Sequence, residues 1–249
     1  MTWLEAVGVL LAGMAAGTVN TIVGSGTLVT FPTLLALGFP PVVANVSNTV
    51  GLVPGSLSGA IGYRRELAGQ RSRLLRLGAA SLLGGLGGGI LLLILPAAVF
   101  DAVVPALILL GCALVVAQPW VSRKVAAPGD GPAHGSVWVW LLVFAAGVYG
   151  GYFGAAQGVL LVAILGIGLA ETMQRINAAK NVLALIVNSV AALLFIAVAE
   201  VDWRAAGLIA AGAVVGGQIG ATVGRRLPPL VLRAVIVVVG VVAAVDMLR

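Results

Sequence analysis

Long apolar segments, separated by short polar or glycine-rich stretches, run through the whole of this 249-residue sequence. The segments cover 4–23, 27–38, 42–62, 74–94, 98–118, 138–153, 158–169, 176–199, 207–224 and 228–247. A helix needs about 20 apolar residues to cross the hydrocarbon core of a bilayer. Most of the segments approach that length and predict spanning helices. The segments 27–38 and 158–169 are shorter, as is typical of half-helices and re-entrant segments.

The composition indicates the class of protein. Hydrophobic residues make up 61% of the chain and charged residues only 9%, whereas about a quarter of the residues in a soluble domain are charged. The sequence therefore predicts an all-α polytopic membrane protein whose main surroundings are a lipid bilayer. The net charge of +6 arises largely from arginines in short loops. This excess fits the basic bias of cytoplasmic loops, and we expect no binding of nucleic acid.

The sequence contains two related halves. Identical residues occur at equivalent positions of the two halves. In the later part of each half the two copies of a residue are separated by one constant number of residues, and in the earlier part by a slightly smaller constant number. Leu95-Pro96 with Leu227-Pro228, Gly84 with Gly216 and Gly88 with Gly220 share the longer spacing, while Gly24 with Gly154 has the shorter one. This pattern predicts a first transmembrane repeat over residues 1–118 and a second over residues 138–249. A polar linker over residues 119–137 joins the two repeats.

Equivalent loops of the two halves carry opposite charge. The loop at 63–76 contains five arginines, whereas the equivalent loop at 196–206 contains Glu200 and Asp202 with a single arginine. The charge bias is reversed in the next loop of each half. Residues 95–101 contain no basic residue, whereas the equivalent region of the second half contains three. Those three are Arg225, Arg226 and Arg233. Since basic loops face the cytoplasm, we predict two inverted repeats with a cytoplasmic linker and both termini outside.

Each repeat is expected to consist of a broken or re-entrant hairpin followed by three transmembrane helices. The two hairpin tips read NTIVGSGT at 20–27 and GGYFGAAQG at 150–158. Irregular backbone is tolerated at membrane depth where protein buries it or where it lines a cavity. The half-helices after the tips would present free N–H groups and positive dipole ends, which suit an anion. We predict an anion cradle formed by Gly24, Ser25, Gly26, Thr27, Gly154, Ala156, Gln157 and Gly158. The alternative is that these glycines only permit close helix packing.

Lys180 lies within an apolar segment, where a buried ammonium group indicates a functional site. An equally good interpretation is that its side chain extends to the headgroups. Asn48 and Lys180 are related by the same spacing as Gly84 and Gly216, so that the two repeats would supply a hydrogen-bonding group and a charge at equivalent positions. Asn20, Asn177 and Asn181 are further candidates for the substrate path. The alternative for these asparagines is hydrogen bonding between helices.

Catalytic and metal-binding patterns do not occur in this sequence. The single histidine, His134, lies in the linker, the single cysteine, Cys112, lies in an apolar segment, and no carboxylate pair occurs within the spans. A phosphate-binding Walker loop is also absent. We therefore expect no enzyme activity, no metal and no cofactor. Glycines spaced four residues apart, as at Gly212, Gly216 and Gly220, predict closely packed helices. These faces suit helix contacts between two copies of the chain in a homodimer as well as helix packing within one chain.

The hairpin motifs resemble a known family. GTVNTIVGSGTLVTFPTLLALGFPPVVANVSNT in the first half and GGYFGAAQGVLLVAILGIGLAETMQRINAAKN in the second are similar to the sulfite exporter TauE/SafE family over essentially the whole chain. Gly24, Gly26 and Pro32 match the family pattern in the first half, and Gly154 and Gly158 match it in the second. The resemblance implies an inner-membrane carrier of sulfur-containing anions such as sulfite, sulfonates or thiosulfate.

These observations together predict a secondary transporter, an exporter of a small sulfur-containing anion. The substrate would be held between the two hairpin tips and moved by alternating access. Three alternatives remain: an anion channel, a transporter of a non-sulfur organic anion, and a membrane-embedded accessory subunit.

Overall fold

The computed structural model describes residues 1–125, 136–222 and 229–247, and all regular structure in these residues is α-helical. The helices are α1 Trp3–Ile22, α2 Thr27–Ala36, α3 Pro41–Gly62, α4 Arg71–Ile94, α5 Ala97–Val125, α6 Val137–Tyr152, α7 Gln157–Gly168, α8 Met173–Val198, α9 Trp203–Thr222 and α10 Pro229–Met247. Their bounds agree with the apolar segments to within a few residues, except that α5 continues to Val125. Residues 126–135 of the predicted linker, including His134, lie outside the described residues, as do Arg225 and Arg226.

Several of these helices are long and apolar enough to cross a membrane. Among the described residues they are α1, α4, α5, α8 and α9, with α5 counted over Ala97–Trp120. The chain is thus an all-α polytopic membrane protein. Helix α3 has 22 residues but is not in this group, because it carries many polar side chains. Asn45, Ser47 and Asn48 are among them, and each is fully buried inside the protein.

The predicted helix breaks are present in both halves. Helix α1 ends at Ile22 and α2 begins at Thr27, while α6 ends at Tyr152 and α7 begins at Gln157. Gly24 and Gly154 occupy equivalent positions in these breaks, with φ angles of +89° and +80°. Glycine adopts this left-handed conformation without the steric cost that a Cβ atom brings. With 10 and 12 residues, α2 and α7 are too short to span a bilayer. By length α1 could span it alone, so the re-entrant path of this hairpin stays a prediction.

The two halves of the sequence interdigitate. Helix α1 packs mainly against α9, and its equivalent α6 packs mainly against α4. In the same way, α3 contacts α9 while α8 contacts α4, and the equivalent pairs α3 with α8 and α5 with α10 contact each other. The main helix pairs are therefore unchanged when the two halves are exchanged. This symmetry agrees with a repeat, and the inversion and the boundaries at 118 and 138 stay predictions.

The small-residue faces form these helix pairs. A Cβ atom added at Gly84 would lie 2.3 Å from the Phe144 carbonyl oxygen, and one at Gly216 would lie 2.0 Å from that of Met14. Both the glycines and the carbonyl residues are equivalent in the two halves, according to the repeat spacings of the sequence. Close packing within the chain is thereby confirmed for these faces. The homodimer stays a prediction.

Candidate functional site

The two hairpin tips contact each other directly. The Gly158 N–H group donates a hydrogen bond of 3.0 Å to the Gly24 carbonyl oxygen. A Cβ atom added at Gly158 would lie 2.4 Å from the Gly24 Cα atom, and one at Gly24 would lie 2.3 Å from the Gly158 Cα atom. Only glycine at both positions permits this approach. The structure thus brings together the tips that the sequence assigned to one cradle.

The backbone N–H groups at the start of α7 are already in use. Gln157 and Val159 donate to the carbonyl oxygens of Gly154 and Ala156, and Gly158 donates across to Gly24. The prediction of free N–H groups is therefore wrong for these residues of α7. It is also wrong for Leu28 and Val29 of α2, which donate to the carbonyl oxygens of Ser25 and Gly26. The physical reason is that the tight turn folds the chain back on itself and that the opposite tip supplies a carbonyl acceptor. Ala156, the N-cap of α7, is fully buried with a φ of +60°, a conformation that costs a residue with a Cβ atom roughly 1–2 kcal/mol.

Unpartnered polar side chains remain at the tips. Ser25 Oγ and Gln157 Nε2 are buried and have no hydrogen-bond partner among the described residues, and the same holds for Asn181 Nδ2 on α8. Ser25 is 0% exposed and Gln157 3%. A buried polar group without a partner costs about 1–3 kcal/mol, so such groups in a native fold call for an explanation. A bound ligand with oxygen acceptors would provide these side chains with a partner.

Thr27 belongs to a hydrogen-bonded group that also includes Thr30 and Asn48. Asn48 Nδ2 donates to Thr27 Oγ1 at 3.4 Å, and Thr30 Oγ1 donates to Asn48 Oδ1. Thr27 Oγ1 also lies 3.8 Å from the Cβ position of Gly154 in the opposite tip. Asn48 thus fixes the start of α2 rather than pointing a free amide at a ligand. Thr30 was not a predicted site residue, although it lies one turn after Thr27 on the same helix face.

Lys180 is fully buried and bound to the end of α1. Its side chain is 1% exposed, and Nζ donates to the carbonyl oxygens of Asn20 and Thr21 at 3.1 and 3.0 Å. The last carbonyl groups of a helix lack intrahelical partners and carry a partial negative charge, which favours a cation there. Extension of the side chain to the headgroups is thus wrong. Lys180 thus places its amino group, a cation when protonated, against the end of α1 next to the first hairpin tip.

The second tip has a neutral counterpart of this contact. Asn45 Nδ2 donates 3.0 Å to the carbonyl oxygen of Tyr152, the last residue of α6. The first half therefore caps a broken helix of the second half, and the second half caps one of the first. Asn45 was not a predicted site residue. The repeat spacing does not identify Asn45 as the capping residue. The repeat equivalent of Lys180 is Asn48, whereas Asn45, three residues earlier on α3, caps the second tip.

Asn20 joins the tip to the centre of the molecule. Asn20 Nδ2 and Asn188 Nδ2 donate to the same acceptor, Ser56 Oγ, at 3.3 and 3.2 Å. Ser56 and Asn188 are 132 residues apart, so they are repeat equivalents that contact each other. The symmetry relating the halves therefore passes between them. Asn177 is half-buried on α8, one turn before Asn181, and the structure describes no contact of either with the tips.

An aromatic group packs beside the tips. The Phe31 and Phe153 rings meet edge to face at 5.1 Å, and Phe100 lies 6.4 and 6.1 Å from them. Phe153 directly precedes Gly154, and all three rings are 0–1% exposed. Edge-to-face pairs of this kind add about 0.5–1.5 kcal/mol to simple burial. The rings give the tips an apolar, rigid support on one side.

A separate cavity of about 820 Å³ lies at the far ends of α1, α2 and α10. Its lining is mostly apolar, with Leu4, Leu35 and Val242 among the residues, and it includes the carboxylates Glu5 and Asp246. Two acidic groups in an apolar lining disfavour an anion, and no residue of the tips contributes to the cavity. It is therefore not part of the candidate site.

An ion cluster connects the loop before α8 to the start of α4. Glu171 Oε1 lies 2.9 Å from Arg73 Nη1, and Glu171 Oε2 lies 2.6 Å from Arg175 Nε. Arg175 Nη1 also donates to the Ala68 carbonyl oxygen at 3.0 Å. Partial burial acts to raise the pKa of Glu171, but the hydrogen bonds and charges of Arg175 and Arg73 outweigh it and hold that pKa below its ordinary value. The cluster ties loops of the two halves together at the side where arginines are concentrated.

Replacing Glu171 by glutamine is expected to lower the free energy of unfolding by about 1–3 kcal/mol at pH 7, because Arg73 keeps only part of its hydrogen bonding. Since the pKa is depressed in the folded protein, the carboxylate stabilises the fold above the ordinary glutamate pKa of about 4.3, and this contribution is lost as the pH falls further. Denaturant unfolding in mixed micelles at pH 7 and at a pH below about 4.3 measures the effect. Glu200→Gln, at an exposed position, is the control. Equal stability of Glu171→Gln and the unmodified protein at pH 7 would contradict the role of the cluster.

Comparisons with known proteins agree with the architecture. The family model described as Sulfite exporter TauE/SafE matches residues 9–247. The probable membrane transporter protein YfcA of Escherichia coli K12 is 26% identical over 243 residues, covering 94% of this chain and 86% of that protein. The probable membrane transporter protein ORF9 of a Sinorhizobium species is 25% identical over 249 residues, covering 96% and 90%. A probable membrane transporter protein of Haemophilus influenzae is 24% identical over 232 residues, covering 91% and 88%. No solved structure gives a significant match.

Proposed function

This chain belongs to the sulfite exporter TauE/SafE family and is a membrane transporter, and on that premise we propose that it exports a small sulfur-containing anion such as sulfite, a sulfonate or thiosulfate. It works from the inner membrane as a secondary transporter. The substrate binds between the two hairpin tips and crosses by alternating access. No enzymatic step, metal or cofactor takes part.

One observation carries the proposal: buried, unpartnered side chains lie where two broken helices meet. Ser25 and Gln157 each sit at a tip with a polar atom that has no partner in the described chain. The positive ends of α2 and α7 converge at the same place, because Gly24 and Gly158 are in contact. An oxyanion offers hydrogen-bond acceptors to both side chains.

The packing of the halves supports alternating access. Each main helix pair has an equivalent pair when the two halves are exchanged. If the repeats are inverted, as the loop charges predict, they can exchange their conformations to open one side and then the other. The exchange requires equivalent loops to lie on opposite sides of the membrane, as their opposite charge predicts. It also requires the Arg73–Glu171 ion pair to break when that side opens.

The contact between the tips favours a carrier over a channel. Gly24 and Gly158 touch backbone to backbone, so the two tips close on each other as expected for an occluding carrier. With the membrane potential held at zero, a carrier accumulates labelled substrate by counterflow, whereas a channel does not. Purified protein in liposomes loaded with unlabelled sulfite is expected to accumulate labelled sulfite against its gradient. Flux without accumulation would contradict the carrier.

The side chain of Gln157 provides the test of the site. We expect sulfur oxyanions to raise the melting temperature of the purified protein and Gln157→Leu to abolish most of that shift. Binding to the folded state alone stabilises it by about 2.7 kcal/mol at a hundredfold excess over Kd. Sulfite, thiosulfate, methanesulfonate and acetate are compared at matched ionic strength.

Gln174→Leu is the matched control, because Gln174 is exposed at the start of α8. It is expected to keep the full shift. An equally large rise in the melting temperature of Gln157→Leu would show that the substrate does not bind at the tips. A shift caused by acetate alone would instead favour a carrier of non-sulfur organic anions.

A further inference from the structure

We propose that the site selects singly charged sulfur oxyanions, such as alkyl sulfonates and hydrogen sulfite, over doubly charged anions of similar size, such as sulfate. The inference rests on the proposed function and specifies the charge of its substrate, so that thiosulfate, a dianion at neutral pH, is disfavoured among the anions named there. It follows from the charges that the structure places around the tips.

One basic side chain is buried in this region. Lys180 is 1% exposed, with its ammonium group against the carbonyl oxygens of Asn20 and Thr21 at the base of the first tip. The described arginine side chains lie elsewhere, near the ends of helices and in loops, as Arg73, Arg175 and Arg204 illustrate. The unpartnered side chains at the tips, Ser25 and Gln157, are neutral.

The helix dipoles add no net charge. Each tip joins the carboxyl end of one helix to the amino end of the next, α1 to α2 and α6 to α7. These ends correspond to about −0.5 and +0.5 of an elementary charge, so the two contributions within one tip nearly cancel. When Lys180 is protonated, the described groups at the tips thus sum to about one positive charge.

A singly charged anion neutralises this charge, whereas a doubly charged anion leaves one negative charge in excess. An uncompensated charge is costly in the interior of a membrane protein. The neutral donors of Ser25 and Gln157 hydrogen-bond to either anion and do not offset the difference. The excess charge therefore determines the preference, and the geometry of the donors does not.

The second repeat position explains why the site holds a single cation. Asn48 is the equivalent of Lys180 and is fully buried. Its amide is bound to Thr27 and its carbonyl oxygen to Thr30, so it contributes no charge to the second half of the site. A lysine at this position would double the buried positive charge.

Methanesulfonate and sulfate provide the test, because both are fully ionised at pH 7 and differ by one charge. Binding to the purified full-length protein is measured by thermal shift, with chloride keeping the ionic strength constant. We expect Kd for sulfate to exceed Kd for methanesulfonate at least about tenfold, a ratio that corresponds to about 1.4 kcal/mol. Sulfate binding as tightly as methanesulfonate, or more tightly, would overturn the inference while leaving the proposed function intact. Binding of neither anion, and of no other sulfur anion, would overturn both.

The variant Asn48→Lys extends the test, with Asn48→Gln as its neutral control. We expect the added lysine to reduce the preference for methanesulfonate over sulfate several-fold, since the site then accommodates a second negative charge. Asn48→Gln should keep the ratio of the unmodified protein. The same ratio in both variants would contradict the charge argument. The comparison of the two anions on the unmodified protein decides the inference even where Asn48→Lys fails to fold.

Discussion

Replacing Gly158 by alanine is expected to abolish transport and to destabilise the protein by about 1–3 kcal/mol, the usual effect of overpacking a closely packed site. The added Cβ atom would lie 2.4 Å from Gly24 Cα and 3.0 Å from the Gly24 carbonyl oxygen. Both neighbours are backbone atoms, which cannot turn aside as a flexible side chain can. The tips must therefore separate, and the substrate site proposed between them is lost. Uptake of labelled sulfite into liposomes and denaturant unfolding measure the two effects.

Gly207→Ala is the matched control for this substitution. Gly207 lies on α9, and a Cβ atom added there meets nothing within 4 Å. We expect normal transport and a slight gain in stability, since alanine favours a helix by up to about 1 kcal/mol over glycine. Normal transport by Gly158→Ala would show that the tips do not need this close contact in the working protein.

Replacing Lys180 by methionine is expected to reduce transport at least about tenfold, equivalent to about 1.4 kcal/mol or more in substrate binding. Methionine keeps most of the side-chain volume but removes the positive charge beneath the first tip. It also leaves the Asn20 and Thr21 carbonyl oxygens without their donor, which costs about 1–3 kcal/mol in stability. Transport assays and unfolding measurements on the same preparation separate the two effects. Arg204→Met, at an exposed position on α9, serves as the control.

Lys180→Gln separates the charge from the cap. Its amide N–H groups can donate to the carbonyl oxygens at the end of α1, so the stability is expected to recover in part. Transport should stay low, because the positive charge is missing. Transport that recovers together with stability would assign Lys180 to helix capping alone.

The sequence predicted well those features that depend on local pattern. Gly24 and Gly154 mark the two helix breaks because both positions need a left-handed backbone, and no other residue type meets that need as readily. The lengths of α2 and α7 followed from the apolar segments between the breaks and the next loops. The small-residue faces were identified from their four-residue spacing, which places them on one side of a helix.

The sequence pattern did not predict the contacts between distant segments of the chain. Lys180 binds carbonyl groups 160 and 159 residues away, and the spacing of residues does not specify which helix end an ammonium group will meet. The N–H groups of α7 were expected to be free, but the opposite tip and the local turn supply their acceptors. Ser56 and Asn188 are the exception, since the repeat spacing relates them and their contact lies on the symmetry of the repeat.

Helices of one half pair mainly with helices of the other half, and this pairing affects the order in which the protein assembles during synthesis. Thr18 on α1 donates to the carbonyl oxygen of Gly216 on α9, which is 198 residues later in the chain. At a synthesis rate of about 5–20 residues per second, α1 waits roughly 10–40 s in the membrane before its main partner is made. During that time its small-residue face, which includes Gly13 and Gly17, contacts lipid or an insertion factor instead of protein. Final assembly of the first hairpin therefore waits until most of the chain has been synthesised, and α9 completes it.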